Sequence, residues 1–397
     1  MFRKMPFILL AIILCIGMLG QWIPPVLQSN FYAVSLLIKS TIIFVLPFVI
    51  FGLLFKTAVS FSNKASKLIV FILAAICCSN FFSTMLSYLV GSFAYQFDLS
   101  MHFPSEGHSL LPAWEFNFPK LIGNAPAMFT GFISGVLLGS VRPELAKSIA
   151  LKFEKIVHFL LRGILTLIPL FISGFIVKMK HDQIMSYIFS NYALIFSLIA
   201  SAVFAYVTLL YVVVNRFQLK ETSVSLKNIF PAAAVGFGSM SSAAAMPLTI
   251  LGTEKNSKNP EMAQSIIPAT VNIHLIGDCF AIPIFAFAVM KSFGVEEPSF
   301  LNYLTFTLFF VLAKFSVAAV PGGGVLVMLP ILEGHLGFSG EMLSLITALY
   351  ILFDPVITCA NILGNGAFAM IIDRVFVYLS LSSPVNEDSI QGSVIPT

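Results

Sequence analysis

Three ionisable side chains lie inside otherwise apolar stretches of the second half of the chain: His274, Asp278 and Asp354. A charge inside a bilayer is costly, so an intramembrane carboxylate or imidazole is a functional candidate by default. Asp354 precedes Thr358 by one helical turn and Asn361 by about two, which puts a carboxylate, a hydroxyl and an amide on one helix face. The bland alternative is a protonated Asp354 that satisfies a neighbour's backbone. His274 and Asp278 are four residues apart, so on a continuous helix imidazole and carboxylate would meet and could exchange a proton. Asp278 could equally be a packing group near the outer interface. Lys39, Arg162 and Lys314 are expected to snorkel or to pair across helices.

Two segments of matched design surround these residues. The first runs Gly236-Phe237-Gly238-Ser239-Met240-Ser241-Ser242 to Pro247, then a polar turn with Lys255 and Lys258, then a helix containing Thr270 and Asn272. The second runs Ala318-Ala319-Val320-Pro321-Gly322-Gly323-Gly324, then a turn near Glu333-Gly334-His335, then a helix containing Thr358 and Asn361. Neither reversal offers about 20 uninterrupted apolar residues before its small-residue tip, so each reads as a re-entrant hairpin. Irregular backbone at membrane depth must be buried in protein or line a wet cavity. Half-helix ends there can hold a carboxylate and a cation without a full protein charge, and paired interrupted segments point to a transporter's midplane site. Ser241 and Ser242 add hydroxyls at the first tip, and the three glycines let the second tip bend and approach a solute.

The rest of the chain supplies the spans. It has 397 residues, 58% hydrophobic and 10% charged, and a mean hydropathy of +0.95. That composition excludes a water-soluble domain. Long apolar runs at about 6–23, 32–55, 68–93, 121–140, 152–177 and 184–214 read as six helical spans. The run at 6–23 is taken as a span and not a cleaved leader. Residues 381–397 read as a cytoplasmic tail, so one integral membrane domain covers 1–397. Lys and Arg concentrate in alternate loops, which sets the amino terminus inside, with Lys178 and Lys180 dissenting. The loop at 94–120 is expected to be polar and irregular. The net charge of +4 sits in short clusters that suit a lipid surface and no nucleic-acid partner. The five cysteines lack metal-ligand spacing and read as free thiols. No zinc-protease helix, nucleophile elbow or phosphate loop occurs, so an enzyme is not expected. Leu37 to Phe48 and Leu161 to Leu170 share a basic or glycine step followed by a mid-helix proline, a hint of an internal repeat.

Taken together, these motifs resemble the dicarboxylate/amino acid:cation symporter family, the glutamate-transporter-like proteins. The resemblance covers nearly the whole chain and is strongest over 236–374; Leu36 to Leu54 also looks like the family's second helix. It implies an all-α integral membrane fold of inverted repeats, with eight transmembrane helices and two re-entrant hairpins. The first six spans, to about 230, would include a scaffold, and about 231–380 would form the transport core. It also implies a homotrimer working by an elevator motion. Ser241 and Ser242 match the last two serines of the first tip, with Met240 replacing the one before. Val320, Pro321, Gly322, Gly323 and Gly324 match the second tip, which gates the site. Asp354 matches the aspartate that holds a substrate ammonium, Asn361 the asparagine that meets a substrate carboxylate, and Thr358 a further match.

The departures bear on substrate and ion. Ile357 stands where members that take acidic substrates have an arginine, and an aliphatic group cannot grip a second carboxylate. The resemblance therefore favours a neutral amino acid. The family's Asn-Met-Asp-Gly-Thr signature reads Asn272-Ile273-His274-Leu275-Ile276, so His274 replaces a sodium-binding carboxylate, and Asn365 replaces another. Sodium prefers oxygen ligands, and about two units of compensating charge are lost. Thr270, Asn272, Asn361 and Asn365 keep neutral oxygens, and Thr270, Asn272 and Asn365 could retain one weak sodium site. Proton coupling through His274, with Asp278 as partner, is the preferred replacement. The expectation is a symporter of the inner or plasma membrane, with H+ or Na+ as coupling ion and no cofactor. The alternatives are a sodium-coupled symporter of dicarboxylates or acidic amino acids, and an uncoupled facilitator.

Overall fold

A computed structural model describes residues 5–62, 67–97, 109–119, 121–182, 185–317 and 322–382. Helices dominate, and no strand occurs among the described residues. The apolar runs explain this, because lipid offers no hydrogen bonds and a helix satisfies its backbone within one segment. The first half forms α1 (Met5–Leu19), α2 (Pro25–Ser62), α3 (Lys67–Tyr95), α4 (Asn124–Val141), α5 (Pro143–His181) and α6 (Met185–Val214). These follow the six expected spans, but α2 and α5 are longer, at 38 and 39 residues. Five helical stretches are long and apolar enough to cross a membrane among the described residues: Pro25–Val59, Phe71–Tyr95, Pro143–His181, Tyr192–Val214 and Gly340–Phe376.

Small residues set the packing of α2, α4 and α5. Gly131 and Gly135, one turn apart on α4, lie so close to α2 that an added Cβ would stand 2.7 Å from the Phe51 carbonyl oxygen and 2.6 Å from that of Phe55. This is the small-xxx-small contact by which membrane helices approach without hydrophobic driving force. The proline-containing α2 and α5 lie against each other along their length, with the Ser35 hydroxyl donating to the Leu170 carbonyl at 3.2 Å. Lys178, which dissented from the charge asymmetry, donates to Asp182 Oδ2 at 2.7 Å and to Ser109. Arg162 is exposed, in line with snorkelling. The described part of the 94–120 loop is irregular as expected, but it exposes Leu111, Trp114 and Phe116 where polar residues were expected.

The second half forms two helical hairpins, each followed by a helix. The first is α7 (Leu219–Ser239) with α8 (Ser242–Glu254); the second is α11 (Phe300–Lys314) with α12 (Gly323–Leu336). Between them run α9 (Pro260–Thr270) and α10 (Ile276–Ser292), separated by a break at 271–275, and the chain continues into α13 (Gly340–Ser382). Glu333, Gly334 and His335 form the last turn of α12, so the reversal comes later than expected, at Gly337 with φ of 68°. The helix expected to hold Asn272 ends at Thr270. Of the expected tail, 381–382 continue α13 and the rest lies outside the described residues.

Residues 273–290 are buried without exception, so α10 is a core helix with no lipid face. It packs on α3, α6 and α13, and α13 also meets α7, α8 and α9. Two first-half helices, α3 and α6, thus line the core that the second half builds. Asp373 of α13 accepts from the backbone N–H groups of Lys258 at 2.7 Å and Asn259 at 3.1 Å. A carboxylate at this helix start contributes about 0.3–1 kcal/mol and fixes α9 against α13.

Candidate functional site

The centre of α13 is the wall on which the site is built. Asp354 is 4% exposed. Its Oδ1 accepts from the Thr358 hydroxyl at 3.1 Å, one turn along the same face. Its Oδ2 accepts from the backbone N–H of Gly322 at 2.9 Å. Gly322 adopts φ of 73°, a left-handed conformation that costs glycine little, and it starts α12. The second tip is therefore tied to Asp354 by its backbone. Both donors are neutral, and among the described residues no Lys, Arg or His forms an ion pair with Asp354.

Glycines let three other elements close on the same wall. An added Cβ on Gly236 of α7 would clash with Ile362 and stand 3.4 Å from the Thr358 methyl, which places the first hairpin against α13. At Gly277 of α10 it would clash with the Ile357 carbonyl and stand 3.0 Å from Asn361 Oδ1. At Gly324 of α12 it would clash with the Tyr350 hydroxyl and stand 2.6 Å from Asp278 Oδ2. The first tip turns at Met240, left-handed with φ of 53°, and Ser241 caps α8 by accepting from Ala244 N–H at 3.3 Å. Ser242 beside it is buried.

The break between α9 and α10 exposes backbone groups that need partners, and α3 supplies them. Asn80, wholly buried, donates to the Ile273 carbonyl at 2.7 Å and accepts from Leu275 N–H at 3.3 Å. Its neighbour Ser79 lies 2.8 Å from His274 Nε2, and His274 Nδ1 lies 3.2 Å from Asn365 Oδ1. With Nδ1 protonated, His274 donates to Asn365 and accepts from Ser79, a neutral chain from α3 to α13. The ring also packs on Phe368, with centroids 4.2 Å apart.

Asp278 has other partners than those expected. His274 lies in the break while Asp278 lies in the first turn of α10, so the helical spacing that would join them is absent. Lys314 Nζ donates to Asp278 Oδ2 at 2.8 Å, with both side chains fully buried. The Tyr350 hydroxyl donates to Oδ1 at 2.9 Å, and Asn361 Nδ2 approaches Oδ1 at 3.4 Å. Asn361 Oδ1 accepts from Gly277 N–H at 2.8 Å, so the amide bridges α10 and α13 in this arrangement.

Gly322, Gly323, Gly324, Asp354, Ile357, Thr358 and Asn361 thus belong to one buried neighbourhood, which the first hairpin meets at Gly236, while Ser242 is buried at that hairpin's tip. Val320 and Pro321 lie outside the described residues. The three groups considered for a weak sodium site do not share hydrogen bonds: Thr270 donates to Ile267, Asn365 meets His274, and Asn272 is exposed. No group of three His, Cys, Asp or Glu side chains suited to a metal occurs among the described residues. Asn80 and Tyr350 were missed in the sequence, whereas Lys314 pairs across helices as one of its two expected outcomes, with Asp278 as the partner that the sequence did not name. The signal for Asn80 was available, since a lone polar side chain within an apolar run is itself a candidate.

A broken core helix between two hairpins, closing on a buried carboxylate, is the architecture of a membrane carrier. The sequence profile of the Sodium:dicarboxylate symporter family matches residues 5–375, and the chain belongs to that family. It is 29% identical over 154 residues to an excitatory amino acid transporter of Onchocerca volvulus, a match covering 38% of this chain and 31% of that protein. It is 27% identical over 254 residues to an uncharacterized symporter of Haemophilus influenzae, covering 61% of this chain and 56% of the relative. A human relative, excitatory amino acid transporter 2, is 27% identical over 168 residues, 42% of this chain and 28% of its own length. The chain therefore matches between about a quarter and just over half the length of these curated relatives.

Proposed function

We propose that this protein is a cation-coupled symporter of a small amino acid. The observation that carries this reading is the state of Asp354: a buried carboxylate with only neutral donors, beneath a tip that touches it through backbone. A substrate ammonium would be its missing partner, and a charge-assisted bond of this kind is worth about 1.5–3 kcal/mol. Thr358 shares that face, and Ser241, Ser242 and the backbone of Val320 to Gly324 would meet the substrate carboxylate, with Asn361 released from Gly277 to join them. Ile357 in place of an arginine supports a neutral side chain over an acidic one. Relatives named excitatory amino acid transporter support an amino acid as the class.

Proton coupling through His274 fits its position in a chain of neutral partners, where gaining a proton would change the hydrogen bonds at the α9–α10 break. The movement would be of elevator type: α2, α4 and α5 pack mainly with one another, as a scaffold would, and the hairpins with α3, α6, α10 and α13 would be the moving part. We place the protein in the inner or plasma membrane with a cytoplasmic amino terminus, as a homotrimer. A sodium-coupled dicarboxylate carrier is the second reading, favoured by the name of the family alone.

Competition separates the two. In proteoliposomes, uptake of labelled L-serine is expected to be blocked by other neutral amino acids and left unchanged by succinate, which lacks an ammonium for Asp354. Equal block by succinate would overturn the assignment of Asp354.

A further inference from the structure

The buried pair of Lys314 and Asp278 has no role in the reading above. Lys314 is the last residue of α11, the arm that leads into the second tip, and Asp278 lies in the first turn of α10. The ammonium stands 2.8 Å from Asp278 Oδ2 and 4.4 Å from the centre of the Phe310 ring. The same carboxylate receives the Tyr350 hydroxyl, the Asn361 amide and the close approach of Gly324 at the start of α12. One positive charge is thereby fixed where the second tip, α10 and the middle of α13 meet.

A buried ion pair is a poor way to stabilise a fold, because desolvation offsets the attraction. It is an effective way to hold a cation at a joint. Carriers of this architecture use a dissolved cation, held by unwound backbone and side-chain oxygens, to join such parts. Here the pair is balanced without one, and a sodium ion added at Asp278 would have to displace a tethered ammonium or leave a buried excess charge.

We propose that Lys314 is a tethered counter-cation: its ammonium takes the place of a coupling cation between the second tip and α10, so that this joint requires no sodium from solution. The inference rests on reading the site as a carrier's and deepens that reading by naming the cation. Lys314 acts here as a positioning residue, holding the tip through Asp278.

Thermal unfolding of the purified full chain, in sodium chloride and in choline chloride at equal ionic strength, tests it without any substrate. The wild-type midpoint is expected to agree within about 1 °C between the two salts, because the site has no vacancy for sodium. Lys314→Ala leaves the Asp278 charge among oxygen ligands, and sodium is then expected to raise its midpoint by about 3 °C or more. Adding Asp278→Asn removes that response. A merely structural ion pair would be weakened by Lys314→Ala in both salts alike, and that result overturns the proposal. So does a wild-type protein that sodium stabilises as strongly as the variant. If Lys314→Ala gives no folded protein in choline, Lys314→Gln carries the same test: recovery in sodium supports the proposal, and no folded protein in either salt overturns it. Since no substrate enters, this result and the transport assays can fail independently.

Discussion

Asp354 and Asp278 are buried carboxylates of one neighbourhood with opposite circumstances. Asp278 has Lys314, while Asp354 has only a tip backbone N–H and a hydroxyl. Replacing Asp354 with Asn keeps the shape and removes the charge, so the uptake rate at subsaturating substrate is expected to fall about 10- to 100-fold, with folded yield unchanged. An undiminished rate would remove Asp354 from the site. His274→Gln keeps a polar side chain but no titrating one, and uptake by this variant is expected to lose its dependence on pH between about 5 and 8. A wild-type-like pH profile in His274→Gln would count against proton coupling there. The types of these residues were legible in the sequence, and so was Thr358 as the neighbour of Asp354, but the partners of Asp278 and His274 were not. Helical spacing joined His274 to Asp278, and the break at 271–275 separated them. The ion pair spans 36 residues, a separation on which local periodicity says nothing.

At the scale of elements, glycine spacing determines how closely the hairpins and core helices approach. Gly277 lies against the Ile357 carbonyl with no room for a methyl group, so Gly277→Ala is expected to destabilise the α10–α13 contact by about 1–3 kcal/mol. A lowered unfolding midpoint would register this, and an unchanged one would contradict the packing described. Gly324→Ala is expected to slow uptake more than it lowers stability, because its Cβ would enter the space of Tyr350 and Asp278 and hold the second tip off the wall. The two hairpins and the long spans could be read from length and interruption. The exact turn of the second hairpin could not, because Glu333-Gly334-His335 looks like a reversal while Gly337 supplies the left-handed residue. The break in α9–α10 was hidden as well, since Asn80 on a distant helix makes it tolerable.

For the whole molecule, the question is which gradient drives which solute. The membrane class and the family were evident from composition and motif order, and the family match over 5–375 agrees with both. The boundary of the core was less evident, because α3 and α6 belong by sequence to the first half and by packing to the second. That packing is decided by side chains such as Asn80 and Tyr211, whose hydroxyl donates to the Leu363 carbonyl at 3.0 Å. The most direct test of the central claim is uptake into proteoliposomes of labelled neutral and acidic amino acids, with proton and sodium gradients imposed separately. The expected result is accumulation of a neutral amino acid driven by the proton gradient and lost in Asp354→Asn. Accumulation of aspartate or glutamate driven by sodium alone would contradict it.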